Sequence, residues 1–129
     1  MANPNIVAVA TILGGNAGWN LSTGLTTELM NVTAEYVVKV NRIVCTNVHA
    51  TDAANLSLYV GGMGSGTTGV TVTGGDPTVY LAKVISVPAN ASLVVSDTPI
   101  YLQEGDTLNG GTSAGSTLDL FISYETIID

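Results

Sequence analysis

Apolar and polar residues alternate with a period of two along several stretches of this chain, the spacing of a half-buried β-strand. In residues 54–60, Ala54, Leu56, Leu58 and Val60 fall on one face and Asn55, Ser57 and Tyr59 on the other. The pattern returns in residues 118–124. Leu118, Leu120, Ile122 and Tyr124 face in, while Asp119, Phe121 and Ser123 face out. Phe121 is then an apolar side chain on an outer face, which fits either an isolated exposed aromatic or a subunit contact. Further strands are predicted over 6–13, 19–22, 25–30, 36–48, 70–73, 79–87, 92–95, 100–102 and 107–108. In the long segment 36–48, Tyr36, Val38 and Val40 hold one phase and Ile43 and Cys45 the opposite one. Such a phase change at Asn41 and Arg42 is what one inserted residue, a β-bulge, produces.

Turn-forming residues punctuate these segments: Gly14-Gly15-Asn16, Gly74-Gly75-Asp76-Pro77, Pro88-Ala89-Asn90, Glu104-Gly105-Asp106 and Asn109-Gly110-Gly111. No stretch carries a helical apolar face that outscores the strand pattern. Many short strands separated by turns predict one all-β domain over residues 1–129, an antiparallel β-sandwich that is jelly-roll-like. A short flexible N-terminal arm (1–5) and a mobile glycine-rich loop (61–75) are expected, with a second mobile loop over 109–116.

Composition narrows the partners. The chain has 129 residues, enough for a single core. Only 10% of residues are charged and the net charge is −7, with Lys39, Arg42 and Lys83 as the sole cations. Nucleic acid is excluded as a partner, because tracking phosphates needs several Lys or Arg. Cys45 is the one cysteine and has no internal partner for a disulfide. The N-terminus shows no export signal, and the apolar run 6–13 is too short and interrupted to cross a membrane, so synthesis and solubility in a cytoplasm are expected. The Asn-X-Ser/Thr triplets at Asn20, Asn31, Asn55 and Asn90 are accordingly read as chance.

No motif points to catalysis, a cofactor or a metal. Gly64-Ser65-Gly66-Thr67-Thr68-Gly69 has the spacing of a dinucleotide fingerprint, but the strand-like Val70-Thr71-Val72-Thr73 follows where a helix is required. His49, the sole histidine, lies in a polar loop near Asp52 and reads as a solvated side chain, with no nucleophile elbow in the chain to complete a triad. Cys45 falls in the inward phase and reads as a buried thiol; with His49 it supplies two of the four ligands a structural zinc requires. Glu104-Gly105-Asp106 reads as a hairpin corner with Gly105 at positive φ and its acids in water. Trp19 either plugs one end of the sandwich or contacts a partner.

With so few charges, the outward positions must be filled by Thr, Ser, Asn, Gly and Val, a surface that is cheap to desolvate and suits packing among identical neighbours. The segments Tyr80-Leu81-Ala82-Lys83, Val87-Pro88-Ala89-Asn90, Pro99-Ile100-Tyr101-Leu102-Gln103-Glu104-Gly105-Asp106-Thr107-Leu108 and Ile122-Ser123-Tyr124-Glu125 carry a resemblance, which also takes in residues 40–48. In strand and turn pattern they resemble small β-sandwich virion proteins of tailed bacteriophages. That resemblance implies a structural, non-enzymatic role. Its commonest form is a capsid decoration (cement) protein, often a homotrimer on the capsid exterior bridging major capsid subunits; neck, baseplate and fibre proteins are the other members. The leading expectation is a trimeric decoration protein with no cofactor, binding itself and the major capsid protein, with neither nucleic acid nor membrane as partner. Its assembly contacts would be Asn3 and Pro4 on the arm, Ile6 just after it, Met63, Val70 and Val72 on the glycine-rich loop, and Phe121. The alternative is a tail, baseplate or fibre component that binds a host glycan through an exposed aromatic platform, for which Trp19, Tyr59 and Phe121 are available.

Overall fold

The structure is a computed structural model that describes residues 11–64 and 71–128. Among the described residues the regular elements are nine strands: β1 (Thr11–Asn20), β2 (Glu28–Asn31), β3 (Tyr36–Asn47), β4 (Ala54–Gly61), β5 (Val79–Val87), β6 (Ser92–Ser96), β7 (Ile100–Leu102), β8 (Thr107–Thr112) and β9 (Leu118–Ile128). Every pairing is antiparallel. One sheet runs β1-β9-β3-β6, with β7 also on β3; the other runs β2-β8-β4-β5.

β6 and β7 lie along the same side of β3, against Ile43–Thr46 and Val38–Val40, and behave as one edge strand interrupted at Asp97-Thr98-Pro99. An interruption holding proline is tolerated at an edge, where a missing N–H breaks no ladder. Counted so, eight strands pack as 1-8-3-6 against 2-7-4-5, the jelly-roll order of a β-sandwich.

The two inner faces meet in a core that includes Val40, Ile43, Cys45, Leu56, Leu58, Leu108, Leu118, Leu120 and Ile122. Each fully buried Leu or Ile contributes roughly 2 kcal/mol of hydrophobic stabilisation. The predicted phase change in β3 is present as a register shift between Val40 and Arg42 opposite β9, which keeps both Val40 and Ile43 inward.

Two glycine clusters expected as turns lie inside strands. Gly14, Gly15 and Asn16 belong to β1, where the Tyr124 ring lies so close to Gly15 that a Cβ there would fall 2.7 Å from Cζ. Asn109, Gly110 and Gly111 belong to β8, a buried interior strand, which corrects the mobile loop expected over 109–116. A Cβ on Gly110 would collide with the Ser57 carbonyl oxygen and meet Leu58 Cα at 3.0 Å. Glycine is needed there for close strand approach. Residues 71–73, expected as part of a strand, are exposed and irregular. Asn3, Pro4, Ile6, the arm 1–5, Val70 and most of the 64–69 glycine motif lie outside the described residues.

The Glu104-Gly105-Asp106 corner has Gly105 at φ 87°, as its sequence predicts. Its acids are not both in water. Asp106 is buried, its Oδ2 accepts the Gln103 N–H at 2.9 Å, and burial raises its carboxyl pKa against the lowering effect of that hydrogen bond.

Cys45 is fully buried, as expected, and burial with the added charge of Asp119 pushes its thiol up from 9.0 to about 11. The unfolded chain sheds this proton near pH 9 while the folded chain holds it. The stability tied to the protonated thiol is therefore complete below pH 9 and falls as pH rises, by about 2 kcal/mol at pH 11. Urea denaturation at pH 8 and pH 11 should show a larger loss for the native chain than for Cys45→Ala, by that amount.

Candidate functional site

Among the described residues β5 pairs only with β4, at the edge of its sheet, and its register carries two irregularities. Tyr59 pairs with Tyr80 and Leu58 with Ala82, so Leu81 is an extra residue; Leu58 with Ala82 and Leu56 with Ile85 leave a second extra residue at Lys83-Val84. Bulges twist an edge strand away from the flat template that invites unwanted pairing, and charged residues usually occupy such positions. Here Leu81 and Val84 are apolar and exposed, with Val79 and Ile85 exposed beside them. Lys83, the one cation of the strand, places its Nζ over the Tyr80 ring at 5.1 Å from the centroid. Tyr80 in turn packs against Tyr59 with centroids 5.3 Å apart.

Val84 adopts φ 53° while 59% exposed. A β-branched residue in the left-handed region is strained, and the Ser57 hydroxyl accepting the Val84 N–H at 3.1 Å helps hold it there. This bond accounts for a second departure from the alternation pattern: Ser57 lies on the outer face of β4 yet is buried. Val84→Gly should therefore raise the stability to urea by about 1 kcal/mol, measured at equilibrium.

The outer face of the first sheet carries a second apolar row. Phe121 is in register with Val44 on one side and Gly18 on the other, and Val44 pairs with Val94. Gly18 has no side chain to cover the ring, and Phe121 is 45% exposed. Beside it a shallow groove is lined by Trp19, Asn20, Thr46 and Asp119, with the Asn20 Nδ2 donating to Asp119 Oδ1 at 2.8 Å.

Of the contact residues expected from sequence and described here, Phe121 lies in this outer row and Val72 is 74% exposed in the segment before β5. Met63 instead packs against the core, and its N–H donates to the Pro77 carbonyl. The exposed apolar residues of β5 were not among those expected contacts. Their signal was the run Val79-Tyr80-Leu81-Ala82-Lys83-Val84-Ile85, apolar but for one lysine and without a period of two.

The titratable groups are dispersed. His49 sits in the loop between β3 and β4, where its Nδ1 accepts the N–H groups of Asp52 at 2.9 Å and Thr51 at 3.2 Å. The proton is consequently on Nε2, which lies 3.8 Å from Asp52 Oδ2. Asn47 organises this loop: buried, it donates to the carbonyls of Asp52 and Val87 and accepts the His49 N–H. Among the described residues no three His, Cys, Asp or Glu side chains come together as a metal site.

A cavity of about 370 Å³ opens between the β1 side of one sheet and the β2 side of the other. β2 has four residues where β1 has ten, so it leaves the inner face of β1 incompletely covered. Trp19, Tyr36 and Tyr124, from inward positions of β1, β3 and β9, line the gap opposite Leu29 and Met30. Trp19 is thus a half-buried wall residue of a cavity. No protein-family model matches this sequence, and no curated protein matches it.

Proposed function

We propose that the chain is a structural protein of a tailed-phage virion, a capsid decoration protein that assembles as a homotrimer on the head exterior and bridges major capsid subunits. The observation that carries this reading is the bulged edge strand β5, which presents Leu81 and Val84 to solvent where a solitary soluble domain would place charge. The Phe121–Val44–Val94 row supplies a second apolar surface on the opposite sheet, so one copy can touch two neighbours. A jelly-roll sandwich is a common virion building block, which supports the reading by analogy of fold alone. The net charge of −7 suits a place away from packaged DNA.

Function would then be mechanical. Each copy spans a junction between capsid subunits, and repetition over the shell multiplies a modest energy per site. Cryo-electron microscopy of particles carrying this protein tests the reading directly. Density for the sandwich at capsomer junctions on the outer head is the expected result; density confined to tail, baseplate or fibres would replace the decoration role with one of those.

A further inference from the structure

We propose that the cavity between β1 and β2 binds the ring of a neutral pyranose sugar. The proposal rests on the cavity alone and is independent of where in a virion the protein sits.

At about 370 Å³ the cavity falls within the ~300–1,000 Å³ range of small-molecule sites. Three of the chain's seven aromatic residues, Trp19, Tyr36 and Tyr124, converge on it from separate strands. Sequence-local packing does not bring them together; the strand order does. A pyranose has an apolar C–H face that stacks on aromatic rings and a rim of hydroxyls that needs hydrogen-bonding partners, and the walls offer both.

The polar side is open for such partners. The Trp19 indole N–H and the hydroxyls of Tyr36 and Tyr124 make no side-chain hydrogen bond to any described residue, although all three side chains are partly buried. Asn31 donates its Nδ2 to Glu28 Oε1 at 2.9 Å, which leaves its Oδ1 as an acceptor on the cavity wall. Thr33 and Thr126 add a hydroxyl each. Tyr124 has its place because β1 carries glycine at position 15; any side chain there would strike the ring.

Charge selects the ligand class. None of the described residues lining the cavity is charged, so no described side chain there compensates a carboxylate, phosphate or ammonium drawn out of water. With a net charge of −7, the chain also repels acidic sugars at long range. A neutral hexose or N-acetylhexosamine unit remains.

Trp19 is the sole tryptophan and lines both this cavity and the groove beside Phe121, so its fluorescence reports binding without labelling and the amide resonances below locate it. The full chain is titrated with D-glucose, D-galactose, D-mannose and N-acetyl-D-glucosamine, each to high millimolar concentration. At least one should give a saturable change with half-saturation in the range of about 1–10 mM, the affinity a single small ring earns from such a site. Tyr124→Phe, which keeps the ring and the fold, should weaken that response at least fivefold, and Tyr36→Ala should weaken it more. Amide resonances of Trp19, Asn31, Thr33 and Thr126 should shift together along the same titration, a readout that does not depend on the variants folding. Failure of all four sugars to give saturation or local resonance shifts would overturn the proposal. So would a response that Tyr124→Phe leaves unchanged, or binding of the uncharged apolar dye N-phenyl-1-naphthylamine at these resonances in place of sugar.

Discussion

Gly110→Ala is expected to cost about 3 kcal/mol or more of stability and to lower Tm by roughly 10 °C. The added methyl has nowhere to go. It would meet the Ser57 carbonyl oxygen, Leu58 Cα at 3.0 Å and Leu58 Cδ1 at 3.1 Å, and two of those three atoms are backbone. Relief would require β8 and β4 to separate in the middle of their sheet, and β8 also pairs with β2 on its other side. Gly14→Ala is the matched control, since a Cβ there meets nothing within 4 Å. It should change stability by no more than about 0.5 kcal/mol. Calorimetry of both variants checks the pair, and equal behaviour would mean that β8 does not lie as close to β4 as described.

Substituting both Leu81 and Val84 with glutamate is expected to weaken self-association at least a hundredfold without lowering Tm. Both residues sit at bulges of β5 and are exposed among the described residues, so the folded monomer loses little packing when they change. Val84 is even a site where an unbranched residue relieves strain, because of its φ of 53°. In an assembly the same two positions would bury uncompensated carboxylates, a penalty of about 3 kcal/mol or more per contact, which is the hundredfold. Sedimentation velocity over a concentration series measures it. Association through an apolar edge should also survive high salt, unlike association through ion pairs. A native chain that stays monomeric at every concentration would remove the basis for the decoration reading.

Much of the sandwich is legible in the chain because a buried strand must keep its apolar residues in phase. The bulge in β3 is the clearest case, since Val40 and Ile43 can both reach the core only if a residue is inserted between them. The Gly105 corner is legible for a comparable reason, its positive φ being a local backbone demand. Glycine elsewhere was ambiguous. Gly15 and Gly110 are set by what lies across the sheet, the Tyr124 ring and the Ser57 carbonyl, and neither neighbour is visible from residues nearby in sequence. The cavity shows the same division. The inward phase of Tyr36 and Tyr124 follows from alternation, but their convergence with Trp19 depends on β9 lying between β1 and β3 and on β2 being too short. The edge character of β5 likewise depends on strand order, which alternation does not encode.

The position of β9 has a consequence for biosynthesis. It follows every other described strand in the sequence, yet it forms the ladder between β1 and β3, with Thr11 opposite Ile128 and Tyr36 opposite the same residue. Until it docks, β1 and the β3 strand that carries Val38, Val40 and Ile43 have no shared partner, and closure must join segments far apart in sequence. Chains in which β9 has not yet docked are therefore the aggregation-prone species.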